Sequence, residues 1–489
     1  MVDPAGERTI PAVVEAAAAA YDDAEALVDG PDVRMHFAGL GRAVRQAAHN
    51  AVAHGVHHGD RVAIWAPNIW QWVIAALGVS AAGGVLVPIN TRFKADEANY
   101  IIDRSGAKLV LTVGEFLGVD YQAMCGGMLL DDFLEAEAPA VDLPTVHPED
   151  LSDVIFTSGT TGKPKGVTAT HAQTTRVFAE WSGILGLRAG DRYLIVNPFF
   201  HTFGYKAGIV AAIMRGATVL PHAVFDPVSV MERVAAERAT VLPGPPALHQ
   251  QILDHPDRRD YDLSSLRLCA TGAAVIPVEM IRRMRDELTY ETIITAYGLT
   301  ECTGTATMCR PDDDAETIAT TSGRAIPDVE VRIADDGEIL VRGYNVTAGY
   351  LDDPEATAEA IDPDGWLHTG DVGTMDDRGY IKITDRKKDM FIVGGFNAYP
   401  AEIEQVLTHH PSVSQVAVVG MYDDRLGEAG RAFVVPRAGT SIDGDELIAW
   451  ARERMANYKV PRRVDVVDAL PLNASGKVLK YVLRSRGKS

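Results

Sequence analysis

The sequence predicts an α/β protein built on parallel sheets, with a small β-rich unit after residue 329 and a compact α+β domain at the C-terminal end. Three observations carry this reading. Before residue 290, short runs of β-branched and aliphatic residues alternate with amphipathic stretches, the pattern of βαβ units with helices on both faces of a sheet. Between Val329 and Thr384 the texture changes to short alternating runs separated by Asp-Gly turns. After Asp385 the charged run Arg386-Lys-Lys-Asp389 precedes a new helix–strand pattern of about 100 residues, a domain in its own right.

Taken in order, residues 61–66 (Arg-Val-Ala-Ile-Trp-Ala) read as a strand. The nearly uncharged stretch 72–89 is long enough to raise a membrane span. Gly83-Gly84 and Pro88 break it into a buried helix leading into a strand at 85–87. A helix over 96–105 leads to a strand at 109–113, and the apolar run 154–156 reads as a buried strand. Strands at 218–221 and 239–242 flank an amphipathic helix over 227–238, and a strand at 266–270 leads into a helix over 277–288. The β-rich unit has strands at 330–333, 338–342 and 380–384. The last domain reads as helix 401–408, strands 413–419 and 432–435, and helix 444–456.

The 489 residues are 47% hydrophobic and carry a net charge of −21, which argues against nucleic acid or an anionic membrane as partner. A phosphate site in such a chain must create its own local positive field. The four cysteines (Cys125, Cys269, Cys302, Cys309) have no paired or metal-binding spacing and fit reduced thiols of a cytoplasmic protein. The N-terminus lacks a signal-peptide apolar core, and Gly-Lys-Ser at the C-terminus is not a peroxisomal address.

The chemistry is densest in Phe156-Thr-Ser-Gly-Thr-Thr-Gly-Lys-Pro-Lys-Gly166, directly after the 154–156 strand. Three glycines let backbone N–H groups turn inward around an anion, four hydroxyls add donors and two lysines supply charge, so the loop suits phosphates. It is not a Walker loop, because Pro164 stands where that spacing needs Gly-Lys. A flexible surface loop is the plainer alternative. Other polar groups follow predicted strands, where open α/β sheets bind ligands. Thr295-Ala-Tyr-Gly-Leu-Thr-Glu301 offers a ring for a base and a carboxylate for Mg²⁺, and Trp366-Leu-His-Thr-Gly-Asp371 ends in an aspartate suited to two sugar hydroxyls. Thr271-Gly-Ala-Ala274 permits close backbone approach, Pro198-Phe-Phe-His-Thr-Phe-Gly204 sets an imidazole among aromatics, and Pro471-Leu-Asn-Ala-Ser-Gly-Lys477 presents a lysine on a turn. Singly, each also fits a packed or merely solvated residue.

Together, in this order, TSGTTGKPKG, FFHTFG, TGAAV, YGLTE, WLHTGD, DRKKDMFIVGGFNAYPAEIE and NASGK resemble the adenylate-forming family of acyl-CoA synthetases, aryl-CoA ligases, luciferases and peptide-synthetase adenylation domains, over nearly the whole length. The resemblance implies a large N-terminal region (1–385) of two α/β subdomains plus a small β-barrel, a hinge at 386–388, and a mobile α+β C-terminal lid domain (389–489). It implies ATP, Mg²⁺ and coenzyme A as cofactor and co-substrates. Thr157, Ser158, Gly159, Thr160, Thr161, Gly162, Lys163 and Lys165 would hold the ATP phosphates, with Thr157 and Glu301 on Mg²⁺ and Thr300 a phosphate contact. Tyr297-Gly298 would face adenine opposite Gly272, Ala273 and Ala274, Asp371 and Arg386 would hold the ribose, and Lys388 matches the hinge. Lys477 would bridge the substrate carboxylate and the α-phosphate, His201 would gate the acyl pocket, and Gly394-Gly395 would approach the pantetheine thiol.

The expected partners are a small-molecule carboxylic acid, ATP and CoA, with a homodimer compatible with the sequence. The acyl pocket is expected from Phe200, Tyr205, Lys206, Gly208, residues 241–246 and Ala296, with Lys206 meeting a ring carbonyl or turning to solvent. PFFHTFGYKAGI, ATVLPHAVFDP and TVLPGPP resemble ligases for the propanoate side chain of a partly degraded steroid ring system, which implies a place in steroid and lipid catabolism. The alternatives are a medium-chain or aryl acid, an enzyme that loads a carrier protein, and an inactive nucleotide-binding homologue.

Overall fold

The computed structural model describes residues 3–158, 163–272, 276–386, 390–471, 478 and 480–485; of Ser158, residues 384–386, Ala401 and Tyr481 it describes the backbone alone. Two sheets dominate the N-terminal region. In the first, Pro164–Thr170, Leu151–Ser158, Val85–Pro88, Arg61–Trp65, Leu109–Thr112 and Met128–Leu129 lie side by side in that order. All its pairings are parallel except the Leu151–Ser158/Pro164–Thr170 hairpin, whose connection is the glycine-rich loop. The strand stays buried through Val154-Ile155, so the apolar run that marked it in the sequence pins the loop to the sheet's end.

The second sheet consists of two ribbons of four strands. One runs Arg192–Ile195, Thr218–Pro221, Glu25–Asp29, Val33–His36; the other runs Leu268–Gly272, Thr292–Tyr297, Thr307–Met308, Arg324–Ala325. The strand expected at 239–242 contracts to a single residue, Val241, which bridges Tyr193 and Leu268 and stitches the ribbons together. Pro243, Pro245 and Pro246 follow at once, and a residue without an N–H cannot extend a central ladder. The strand expected at 266–270 is displaced two residues, to Leu268–Gly272, which carries Gly272 to the sheet's rim.

The membrane question resolves as the glycines suggest. Helix Trp70–Ala81 and strand Val85–Pro88 are separated by Gly83 at φ +75°, and both are buried. Among the described residues, no helix is long and apolar enough to cross a membrane. The small β unit is a four-stranded antiparallel sheet of Val329–Ile333, Glu338–Gly343, Leu367–Met375 and Ile381–Arg386. The C-terminal domain is a sheet of Phe396–Ala398, Phe391–Val393, Gly427–Pro436 and Val413–Asp423, with Arg463–Val466 parallel to the third, flanked by helices Pro400–Thr408 and Gly444–Arg452. This domain docks closely. Trp65, Val87, Ile89 and Phe93 of the first sheet's neighbourhood share one apolar cluster with Phe391, Ala398, Leu447 and Tyr458.

Candidate active site

The hairpin sets Thr157 directly across from Lys165. From the second sheet, strand Thr292–Tyr297 ends in a short turn, Thr300–Cys302, that carries Glu301 towards them. Thr157 Oγ1 donates to Glu301 Oε1 at 3.5 Å, and the Tyr350 hydroxyl donates to the same oxygen at 2.9 Å. Lys165 Nζ stands 5.1 Å from the centre of the Tyr350 ring. Burial and then the Glu301 charge push the Tyr350 hydroxyl well above its ordinary pKa, so it remains a donor. A carboxylate, a hydroxyl and an ammonium therefore meet where the phosphate loop begins. Glu301 with phosphate oxygens is a donor set that suits Mg²⁺, which takes few protein ligands; among the described residues no group of three or more His, Cys, Asp or Glu side chains forms a metal cage. Tyr350 has no sequence signal: it lies 49 residues from Glu301 and is held there by an isolated antiparallel β-bridge to Val167.

On the other side of the turn, Tyr297 is buried and its hydroxyl donates to Asp371 Oδ2 at 2.8 Å. Asp371 sits on Leu367–Met375 in register with Arg386. Burial, followed by the Asp371 charge, raises the Tyr297 pKa and keeps the phenol protonated. Two glycines make the approach possible. Gly272 has φ +154°, and a β-carbon there would stand 2.7 Å from the Ala296 carbonyl; one on Gly298 would stand 2.3 Å from the Gly304 carbonyl. Both glycines beside Tyr297 are thus required by backbone packed directly against them.

His201 opens the turn Thr202–Gly204, and its Nδ1 accepts the Phe203 N–H at 3.2 Å, which leaves the ring proton on Nε2. The residue is exposed, yet desolvation by the surrounding protein lowers its pKa to about 4. The imidazole is neutral at neutral pH.

Two expectations about the acyl pocket are overturned. Lys206 neither meets a substrate nor turns to solvent; its Nζ lies 2.9 Å from Asp153 Oδ1, with both side chains 1% exposed. Burial pulls the Lys206 pKa down and Asp153 opposes it, while Ser152 Oγ donates to the other Asp153 oxygen at 2.6 Å. Tyr205 also turns into the core, edge-on to Trp72 at 5.6 Å between ring centres. Lys206 and Tyr205 both belong to a π-helical segment, Tyr205–Val210, whose residues are all buried.

Gly394 (φ +55°) and Gly395 (φ +85°) form the two-residue turn between Phe391–Val393 and Phe396–Ala398. The turn lies against the large domain: a β-carbon on Gly395 would touch Pro245 at 3.4 Å, and Phe396 stacks on Phe200, next to His201, at 6.4 Å. Gly159, Thr160, Thr161, Gly162, Ala273, Ala274, Lys388 and Lys477 lie outside the described residues, as do the side chains of Ser158 and Arg386. Lys163 Nζ is 5.9 Å from the centre of the Tyr100 ring, and Thr300 opens the turn that carries Glu301.

Residues 14–351 match the AMP-binding enzyme family, and residues 402–477 match the AMP-binding enzyme C-terminal domain. In Mycobacterium tuberculosis and Rhodococcus jostii, CoA ligases named for the propanoyl side chain of a 7a-methyl-1,5-dioxo-octahydroindene are each 50% identical to the chain, covering 98% of it and 99% of the relative. A double mutant of the o-succinylbenzoate CoA synthetase from Bacillus subtilis, bound with its product analogue, superposes with a TM-score of 0.88 at 29% identity, covering 97% of the chain and 98% of that structure. The same synthetase with its acyl-adenylate intermediate superposes with a TM-score of only 0.71, at 29% identity over 96% and 97% of the two chains.

Proposed function

The chain belongs to the AMP-binding enzyme family, and from that premise we propose the following reaction for it. It is an ATP-dependent acid–CoA ligase whose acid is a propanoate on a fused, ketone-bearing ring system. The first half-reaction joins a carboxylate oxygen to the α-phosphorus of ATP and releases pyrophosphate. In the second, the CoA sulfur bonds to the acyl carbon, the thiol proton passes to solvent, and AMP leaves with the electron pair of the anhydride C–O bond.

Each group has a task suited to its surroundings. Carboxylate and triphosphate are both anions, so their meeting must be neutralised by preorganised charge, which usually contributes more than any other effect to such catalysis. Lys163, Lys165 and the backbone of the loop supply it at the β- and γ-phosphates, Mg²⁺ held at Glu301 and Thr157 adds to it when bound, and Lys477 supplies it at the α-phosphate. Tyr297 and Gly272 hold adenine, and Asp371 accepts from the ribose hydroxyls. Neutral His201 separates the acyl pocket from the adenylate without adding charge. Residues 1–385 carry the ATP and acyl sites, 386–388 the hinge and 389–489 the lid, in a cytoplasmic enzyme.

The observation that carries the choice of acid is identity of 50% over 98% of the chain to ligases for such a ring propanoate. The test compares kcat/KM for a bicyclic diketo-propanoate, octanoate and a cinnamate-type acid, followed by AMP release with CoA present. The ring acid should win by at least about tenfold, a difference of about 1.4 kcal/mol in transition-state binding. Should octanoate win by that margin, a medium-chain ligase replaces this reading.

A further inference from the structure

Lys459 is buried to 1% exposure on the C-terminal domain, yet its closest partners come from both sides of the domain boundary. Its Nζ lies 2.7 Å from Glu97 Oε1 on helix Ala95–Ser105 of the large domain and contacts Glu402 Oε1 on its own domain. Around this pair the two domains interlock. The Asn90 amide donates to the Tyr458 hydroxyl at 3.3 Å, and Lys459 Nζ is 4.3 Å from the centre of the Phe93 ring. Tyr458 stacks on Phe396 at 5.0 Å, and the Arg92 guanidinium lies 4.0 Å from the centre of that ring. Phe396 in turn stacks on Phe200 and directly follows the Gly394-Gly395 turn. An ionic contact 362 residues apart in the chain thus stands immediately behind the turn nearest the acyl gate.

We propose that Lys459 is a positioning residue whose clasp on Glu97 holds the C-terminal domain in the arrangement used for thioester formation. The inference rests on the two half-reactions proposed above. Two further observations favour that arrangement over the adenylating one: Gly395 lies against Pro245, and the whole chain superposes better on the product-analogue form of the o-succinylbenzoate enzyme than on its adenylate form. If the domain rotates away, Lys459 keeps Glu402 and gives up Glu97. The clasp therefore acts on one state only, which is what a population shift requires.

The test variant is Glu97→Gln. Glu97 Oε2 also accepts the Lys94 N–H at the start of its helix, a bond that an amide oxygen keeps, so the variant loses charge without losing the cap. Thioester formation from supplied acyl-AMP and CoA should fall about tenfold, while acid-dependent ATP–pyrophosphate exchange stays within about twofold. Equal loss in both half-reactions, or no loss in either, overturns the proposal. A second measurement separates this failure from failure of the ligase reading. Spin labels at the exposed positions Leu117→Cys and Tyr422→Cys, in a Cys125→Ser background, report the spacing of the domains without any substrate. A narrow distance distribution that splits or broadens in Glu97→Gln supports the clasp even if no acid proves to be activated; superimposable distributions refute it.

Discussion

A lysine as deeply buried as Lys206 persists only because Asp153 lies 2.9 Å away and is equally shielded from water. Such pairs are asymmetric: removing one partner strands the other charge, whereas replacing both with apolar residues restores packing. Lys206→Met should therefore destabilise the fold by about 3–5 kcal/mol, and Lys206→Met with Asp153→Leu should recover most of that loss, both measured by urea unfolding. Because the ammonium faces Asp153, the single variant should leave the ratio of kcat/KM between ring acid and octanoate unchanged; a shift in that ratio would return Lys206 to the pocket. The Asp371 carboxylate, by contrast, reaches the Tyr297 hydroxyl at the rim of the proposed nucleotide site. Asp371→Ala should raise the KM for ATP about tenfold, since a charge-assisted hydrogen bond contributes roughly 1.5–3 kcal/mol, without altering which acid is preferred. For Lys477→Ala the expected outcome is loss of pyrophosphate exchange with most thioester formation from supplied acyl-AMP retained. A matching loss in both halves would remove it from the adenylation step.

At the scale of elements, the 154–156 strand and the glycine-rich loop after it were legible because both are local signals, whereas the returning antiparallel strand Pro164–Thr170, which sets Thr157 opposite Lys165, was not. Helices over 95–105, 227–237 and 278–287 lie within a residue or so of their expected bounds, since amphipathic periodicity is also local. What could not be read were contacts that depend on tertiary geometry. Nothing near Tyr350 announces Glu301, nothing near Lys459 announces Glu97, and nothing near Lys206 announces Asp153. The Gly394-Gly395 turn shows where the two kinds of information meet. The resemblance assigns it to the pantetheine thiol, but only the fold shows that it is a tight turn and that Gly395 rests on Pro245. Gly395→Ala places a side chain at φ +85°, which costs about 1 kcal/mol in backbone strain, and adds a methyl group against the proline. Stability should change by little more than that amount, whereas thioester formation should slow disproportionately relative to pyrophosphate exchange. A purely proportional effect would mean that the turn contributes to folding alone.

The response of the whole molecule to acid follows from imidazoles scattered through its core. Burial lowers the pKa of His171 to about 4 and of His249 to about 3. In the unfolded chain each returns to about 6.5, so between about pH 6.5 and 4 the unfolded state binds the extra protons and stability falls as pH falls. Each such group contributes a slope of up to about 1.4 kcal/mol per pH unit. Carboxylates act in a lower window. Hydrogen bonds from Arg34 and Arg192 hold Glu25 at about 2, so its stabilisation is present above about pH 4.5 and is lost only below it. Relief of the net charge of −21 on acidification pushes in the opposite direction, and comparing paired variants removes that common background. His249, fully buried beside Cys269 and edge-on to Tyr290, is the suitable probe because it lies apart from the proposed catalytic groups. Urea midpoints should drop between pH 7 and pH 5 in the native chain. His249→Phe should be less stable at pH 7 but show a shallower drop, by about one imidazole's slope. Parallel curves for the two proteins would show that His249 keeps an ordinary pKa in the folded state, and a drop over this range would then fall to His171.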